Sequence, residues 1–145
     1  MSFFRSSPRS VDIGLAILRI AAAAVFINHG YQKLFVYGIS GVTGAFTGMG
    51  VPAPALMGPL IGVLEFFGGI ALVLGFLTRL VALGYTCDML GAILLVQLKN
   101  GFSHFELEFL LLGSAIALVL AGAGRFSVDA MIADRREGHR PTLQS

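Results

Sequence analysis

The chain has 145 residues, of which 56% are hydrophobic and only 12% are charged, and its mean hydropathy is +0.84. Soluble domains carry roughly 25% charged residues, so this composition excludes an ordinary soluble domain. The 12 Phe residues exclude intrinsic disorder. The net charge of +2 comes from basic residues scattered at the edges of apolar runs, which is typical of membrane proteins and not of nucleic-acid binding. The single cysteine, Cys87, excludes an internal disulfide and a zinc-cysteine site.

Four apolar runs are each long enough to predict a membrane-crossing helix, and none alternates as a β-barrel strand does. We predict spans at about residues 13–35, 56–77, 80–98 and 106–121, within a single domain that covers residues 1–145. The first run continues as a full-length span without a convincing cleavage site, so we expect no cleaved signal peptide. The predicted fold class is all-α, an integral membrane four-helix bundle.

The connections between the runs differ in length. Thr78 and Arg79 alone separate the second and third runs, which predicts a tight helical hairpin. The first connection, residues 36–55, is long, rich in glycine and free of charge. We interpret it as a connecting loop at the membrane surface, with a lid over a site as the alternative.

The basic residues indicate the orientation of the chain in the membrane. Lys33 and Lys99 flank one side, whereas the other side carries Arg5, Arg9, Arg79, Arg125, Arg135, Arg136 and Arg140. Cytoplasmic segments of membrane proteins are enriched in Lys and Arg. We therefore predict that both termini are cytoplasmic and that residues 122–145 form a cytoplasmic tail.

Three ionisable residues lie deep within the predicted spans. Arg19, Asp88 and Glu65 lie about 10, 13 and 16 Å from the cytoplasmic ends of their helices. Because unpaired charges inside a membrane are costly, we expect the three side chains to meet in the bundle interior, with the arginine between the carboxylates. They then form either a structural ion network that fixes helix register or the polar floor of a ligand-binding site.

A second polar group lies at the opposite membrane edge and comprises His29, Lys33, Gln97, Lys99, His104, Glu106 and Glu108. Glu106 and Glu108 are two residues apart, so they face different directions on a helix. Glu108 lies on the same helix face as the apolar residues Leu111 and Ala115, so we expect Glu108 to point inward. Gln97 follows Asp88 by nine residues, so it faces the opposite side of a straight helix. Such a group is suited to hydrogen-bonding the head group of a quinone.

Other cofactors are less consistent with the pattern. Axial haem ligation by His29 and His104 is an alternative, but the usual histidine pairs within spans are missing, so we expect no haem. Metal ligands come in close clusters, and the carboxylates here are dispersed, so we expect no metal.

Several motifs follow one another along the chain. They are Leu18-Arg19, His29-Gly30-Tyr31-Gln32-Lys33-Leu34-Phe35, Gly50-Val51-Pro52, Gly62-Val63-Leu64-Glu65-Phe66-Phe67-Gly68-Gly69, Gly75-Phe76-Leu77-Thr78-Arg79, Lys99-Asn100-Gly101-Phe102 and Glu108. In this order they resemble the DoxX family over about residues 12–128. The matching polar and glycine positions are Arg19, His29, Lys33, Glu65, Gly69, Arg79 and Glu108.

The resemblance implies a four-helix protein of the bacterial cytoplasmic (inner) membrane that takes part in membrane redox chemistry. One family member is the small subunit of a thiosulfate:quinone oxidoreductase, and others resemble partners in thiol, oxidative-stress, quinone or catechol systems. Family members often carry a histidine near the end of the third span, where this chain has Gln97. This chain therefore has no titratable side chain at that position.

These observations favour a quinone-interacting membrane subunit of an oxidoreductase system. We expect His29, Lys33 and Glu108 to act on the head group. The ligand-binding candidates are Arg19, Glu65, Asp88, Gln97 and His104. The electrons are expected from a peripheral redox protein or a bound hydroquinone. The alternatives are a non-catalytic membrane anchor for such a protein and, ranked lowest, a small transporter; the glycine-rich faces also make a homo-oligomer conceivable.

Overall fold

The structure, a computed structural model, describes residues 7–137. Within that range the chain is all-helical and contains no strand, as the composition predicted. Six α-helices follow one another: α1 (Pro8–Tyr31), α2 (Gly38–Met49), α3 (Pro54–Leu74), α4 (Thr78–Gly91), α5 (Glu106–Ala121) and α6 (Val128–Glu137). Arg5 and Arg140, which contributed to the predicted orientation, lie outside the described residues.

Two of the helices continue into wider π-helical segments. α1 runs on through Gln32–Val36 and α4 through Ala92–Gln97, after which short 3₁₀ turns cover Leu98–Asn100 and Phe102–His104. Three stretches are long and apolar enough to cross a membrane: Pro8–Val36, Pro54–Leu74 and Thr78–Asn100. They agree with the first three predicted spans. α5 is shorter, with 16 residues.

The turn between α3 and α4 lies three residues earlier than the hydropathy pattern predicted. Gly75 ends α3 in the left-handed conformation, with φ at +69°, a backbone state that glycine adopts without steric cost. Thr78 and Arg79, the predicted turn, instead form the first residues of α4. We call the end of the molecule at which α1 begins, α3 ends and α4 begins the lower end. The opposite end is the upper end.

The long first connection is helical rather than an irregular loop, which corrects the sequence-based interpretation. Its central part forms α2, which packs against α3. Gly58 of α3 makes this approach possible, because a Cβ there would lie only 3.0 Å from Cγ1 of Val42 in α2. A glycine-rich segment therefore forms a helix here because a close partner stabilises it.

The four longer helices contact one another in cyclic order, α1 to α3, α3 to α4, α4 to α5 and α5 to α1. Their shared core contains Phe26, whose ring stacks on Tyr85 with 3.6 Å between centroids and 5° between ring planes. The Tyr85 hydroxyl donates a hydrogen bond of 3.0 Å to the carbonyl oxygen of Glu65. This bond ties α4 to α3 beside the stacked rings.

Arg19 does not meet the two deep carboxylates, so that part of the sequence-based prediction was wrong. The side chain is only 3% exposed, and its guanidinium donates to the carbonyl oxygens of Ala123, at 2.5 Å, and Phe126, at 2.7 Å. Helical side chains point back toward the N-terminus, which carries the guanidinium to the level of Val73. Eight residues of helix, about 12 Å, separate that level from Glu65.

The chain that follows α5 is held against the lower end of the bundle. The Asp129 carboxylate accepts the backbone N–H groups of Leu77, at 2.8 Å, and Thr78, at 2.9 Å, and so caps α4. Asp12 of α1 accepts the backbone N–H of Arg125 at 3.0 Å. Residues 122–129 of the predicted tail are therefore part of the packed structure.

We expect Gly30→Ala to destabilise the protein. A Cβ at this position would overlap the backbone of Phe66, which has no flexible end that could give way. Overpacking of this kind costs about 1–3 kcal/mol, measurable as a lower free energy of unfolding in detergent. Gly113→Ala is the matched control, since a Cβ at Gly113 meets nothing within 4 Å. Equal stability of the two variants would contradict the close approach of α1 and α3.

We expect Arg19→Ala to loosen the lower end of the bundle. The change removes the charged donor to the buried carbonyl of Ala123 and the partly buried carbonyl of Phe126, and hydrogen bonds to charged groups contribute about 1.5–3 kcal/mol each. Trypsin cleavage after the exposed Arg125 should become faster, and the free energy of unfolding should fall. Arg9→Ala, at an exposed position of α1, should change neither quantity. Unchanged cleavage in the Arg19 variant would show that the carbonyl contacts do not hold this segment.

Candidate functional site

A cavity of about 930 Å³ lies in the upper half of the molecule, with α1, α2, α3, α4 and α5 all contributing to its lining. Most of the lining is apolar. A polar cluster is set into this lining and comprises His29, Lys33, Glu65, Asp88, Gln97 and Glu108. The structure thus brings together members of both polar groups that the sequence separated.

Each polar side chain is placed by a different part of the fold. His29 lies in the last turns of α1, and Lys33 in the π segment that follows it. Glu65 lies in the middle of α3 and is buried, while Asp88 lies near the end of α4. Glu108 lies in the first turn of α5. With Gln97 in the π segment Ala92–Gln97, six chain segments have to be packed correctly for the cluster to exist.

Lys33 and Glu65 form a short ion pair, with 2.6 Å between Nζ and Oε2. Glu65 is only 2% exposed and Lys33 is 22% exposed. Gly62 admits the lysine to α3, since a Cβ there would lie 3.4 Å from Cβ of Lys33 and 2.9 Å from a methyl carbon of Leu34. Glu65 therefore finds its cation on the first predicted span as expected, but that cation is Lys33, in the π segment after α1, and not Arg19.

Asp88 lies beside Glu65 in the same cavity. Its Oδ2 atom is buried and has no hydrogen-bond partner within the described part of the chain. The ammonium of Lys33 balances only one of the two neighbouring carboxyl groups. Asp88 thus offers a buried acceptor to a hydrogen-bond donor that enters the cavity.

Gln97 lines the same cavity as Asp88, although a straight α-helix would place them on opposite faces. The difference arises from the π segment Ala92–Gln97. Its turns contain more residues than α-helical turns, so the helix rotates less per residue and brings Gln97 round toward the cavity. π-Helical turns are frequent at functional sites.

α2 supplies one wall of the cavity through apolar side chains that include Val42, Phe46 and Met49. The connection that we interpreted as a surface loop therefore covers one side of the cavity. This is the position expected from the alternative interpretation, a lid. Val51 and Pro52, which follow α2, line the same wall.

Some candidates from the sequence are not part of this cluster. His104 is exposed and does not line the cavity, because the positive φ of Gly101, +88°, turns the chain outward before it. Arg19 lies at the lower end, as described above. Glu106 is exposed, whereas Glu108 lines the cavity, so the choice between the two glutamates was correct.

Three further residues with polar or thiol side chains line the cavity and were not among the candidates from the sequence. They are Gln32, Tyr37 and Cys87. Cys87 was interpreted as a small packing residue, yet its side chain is exposed. Its position directly before Asp88 was a usable signal. Tyr37 carried no such signal, because its placement depends on where the π segment ends.

The chain matches the family model of DoxX over residues 14–98. It is 31% identical over 125 residues to CatD of Bacillus subtilis (strain 168), whose name assigns it provisionally to the oxidoreductases; the match covers 86% of this chain and 90% of the relative. It is 34% identical over 127 residues to the inner membrane protein YqjF of Escherichia coli (strain K12). This match covers 83% of this chain and 93% of the relative.

A third relative is Rv3486 of Mycobacterium tuberculosis (strain ATCC 25618 / H37Rv), named an uncharacterized membrane protein. It is 33% identical over 132 residues, which cover 81% of this chain and 80% of the relative. No solved structure matches the chain.

We expect Lys33→Met to cost more stability than the double change Lys33→Met with Glu65→Gln. Removing one partner of a fully buried ion pair leaves an uncompensated charge and costs about 3–5 kcal/mol, whereas removing both is often close to neutral. Since Lys33 is 22% exposed, we expect a smaller cost of the same sign here. Free energies of unfolding of the two single variants, the double variant and the unchanged protein give the coupling energy directly. Additive costs would contradict the ion pair.

Proposed function

The chain belongs to the DoxX family of membrane proteins, and on that premise we propose that it is a quinone-binding membrane subunit of an oxidoreductase system. It is a multi-pass protein of the bacterial inner membrane. The observation that carries the proposal is the mostly apolar cavity with its cluster of donors and acceptors. A relative named as an oxidoreductase supports the redox assignment.

We also propose that α5 is a fourth membrane-spanning helix and that both termini are cytoplasmic. α5 packs against α4 and α1, both of which belong to stretches long enough to cross a membrane. Exposed arginines gather at the lower end, at Arg9, Arg79 and Arg125. This distribution supports a cytoplasmic lower end under the positive-inside rule.

The cavity fits a quinone in size and in chemistry. Ligand pockets range over about 300–1,000 Å³ and combine apolar walls with a few placed polar groups. A quinone has a flat ring with two carbonyl oxygens and takes up two electrons and two protons when it is reduced. Lys33 and His29 are donors suited to such oxygens, and the free Oδ2 of Asp88 is suited to a hydroxyl group.

The side chains have distinct proposed roles. His29 exchanges a proton with the head group, because an imidazole ring has nitrogens that can donate and accept one. Lys33 donates a hydrogen bond and is held in position by Glu65. Glu108, in the first turn of α5, exchanges protons between the cavity and the upper end. Electrons are supplied by a peripheral redox protein of the same system or by a bound hydroquinone.

A non-catalytic membrane anchor is the second candidate. It is favoured by the exposed lower end, where α6 and its arginines are accessible to a peripheral redox protein. A homo-oligomer is a further possibility, since Gly44 and Gly48 of α2 face open space. The transporter hypothesis loses support, because Arg19 lies away from the polar cluster that it was meant to extend.

The single cysteine reports on occupancy of the cavity. We expect a fully substituted short-chain quinone, which has no free ring position for a thiol to attack, to slow maleimide labelling of Cys87 in proteoliposomes. At ten times its dissociation constant the free fraction, and with it the labelling rate, falls about tenfold. His29→Ala and Glu108→Gln should weaken this protection, because each removes a proposed contact.

The matched control carries Cys87→Ser together with Leu110→Cys, which moves the thiol to an α5 position that is 67% exposed and outside the cavity. Its labelling should not respond to the quinone. Unprotected labelling of Cys87 at every quinone concentration would contradict quinone binding in this cavity. The anchor hypothesis would then gain support from a stoichiometric partner in pull-downs from native membranes.

A further inference from the structure

The last two turns of α6, residues 131–137, separate their charges by sign. Asp129, in the first turn, falls beside Arg136 around the helix, but its carboxylate accepts the backbone N–H groups of Leu77 and Thr78. At about 100° per residue, Met131, Ile132, Arg135 and Arg136 fall within one arc of about 140° of the helix surface. Asp134 and Glu137 fall on the opposite side. We name the first set the basic face of α6. Its two apolar side chains are accessible, with Met131 58% exposed and Ile132 37% exposed.

The helix is held in a fixed place at the lower end of the bundle. Asp129, its second residue, caps the first turn of α4, and its own N–H donates to the carbonyl oxygen of Gly75 at 2.9 Å. Arg19 holds the bend before α6 through the carbonyl oxygen of Phe126. An isolated helix of ten residues is marginal in water, so these contacts stabilise and orient it.

Four exposed arginines lie on or near this face. Arg135 and Arg136 are exposed, as are Arg79 and Arg125 at the same end of the bundle. Within residues 7–137 none of the four forms a salt bridge with a carboxylate. The basic face of α6 thus alternates apolar and positively charged side chains, and its arginines have no acidic partner among the residues that the structure describes.

We propose that the basic face of α6 binds the anionic phospholipid headgroups of the adjoining membrane leaflet. Charge complementarity supports this occupant, because the guanidinium group matches phosphate oxygens in geometry and charge. The position supports it as well, since α6 starts at the level where the membrane-spanning α3 ends and α4 begins. In helices that lie in the interface of anionic membranes, apolar side chains enter the headgroup region and nearby Lys and Arg add electrostatic attraction to the lipids. The proposal is independent of what the cavity binds.

The absence of tryptophan from the chain allows a direct test. Ile132→Trp places one fluorophore on the basic face, and Asp134→Trp places it on the opposite side. Each full-length variant is reconstituted in nanodiscs of phosphatidylcholine, with or without phosphatidylglycerol, and quenched with neutral acrylamide. Phosphatidylglycerol should shield the tryptophan at position 132 and shift its emission to the blue, and should leave that at position 134 unchanged.

Removing the charges with Arg135→Gln and Arg136→Gln in the Ile132→Trp background should weaken the phosphatidylglycerol effect by about fivefold for each arginine. Maleimide labelling of Cys87 at the unchanged rate confirms that the variants are folded. Equal quenching in both lipids, equal shielding at the two positions, or shielding that ignores the arginine changes would each overturn the proposal. Shielding that requires an added cytosolic protein fraction would also overturn it and identify a protein surface instead.

Discussion

A buried ion pair between Lys33 and Glu65 determines how the upper half of this molecule is organised. The pair forces α1 and α3 together, and Gly62 provides the room for that approach. One ammonium balances only one of the two neighbouring carboxyl groups, and Oδ2 of Asp88 has no hydrogen-bond partner within residues 7–137. The pair therefore joins two helices and at the same time leaves an unsatisfied polar group facing an otherwise apolar cavity. Its structural role and its proposed functional role follow from the same charge imbalance.

The charged groups of the membrane-spanning helices are divided between two places. The carboxylates, Lys33 and His29 gather at the cavity, whereas Arg19 binds main-chain oxygens at the lower end. Glu65 and Arg19 each have a partner, as a charge inside a membrane requires, whereas Oδ2 of Asp88 has none among the described residues. The two places have different consequences. The first leaves an accessible polar cluster, and the second closes the end of the bundle and sets the position of α6.

Hydropathy predicted the three long apolar helices. Helical periodicity predicted that Gly62 and Glu65 share a buried face of α3 and that Glu108 points inward. They succeeded there because long apolar runs and regular α-helical turns leave a repeating pattern in the sequence. They failed for Gln97 and for α2, since a π segment changes the angle per residue and a glycine-rich helix depends on its tertiary partner. The partners of Arg19 were not predictable, because they are backbone carbonyl groups. Every residue has such a group, so no residue type in the sequence marks the ones that Arg19 binds. His104 was misplaced because one glycine conformation redirects the chain.

The contact made by Arg19 has an evolutionary consequence. The guanidinium recognises the main-chain oxygens of Ala123 and Phe126 and makes no use of their side chains. Substitutions at these two positions can therefore accumulate without a compensating change at the arginine, provided that the bend keeps its shape. A search for covarying pairs would then couple the arginine to neither of the two residues that it binds, although its side chain holds the end of the molecule together.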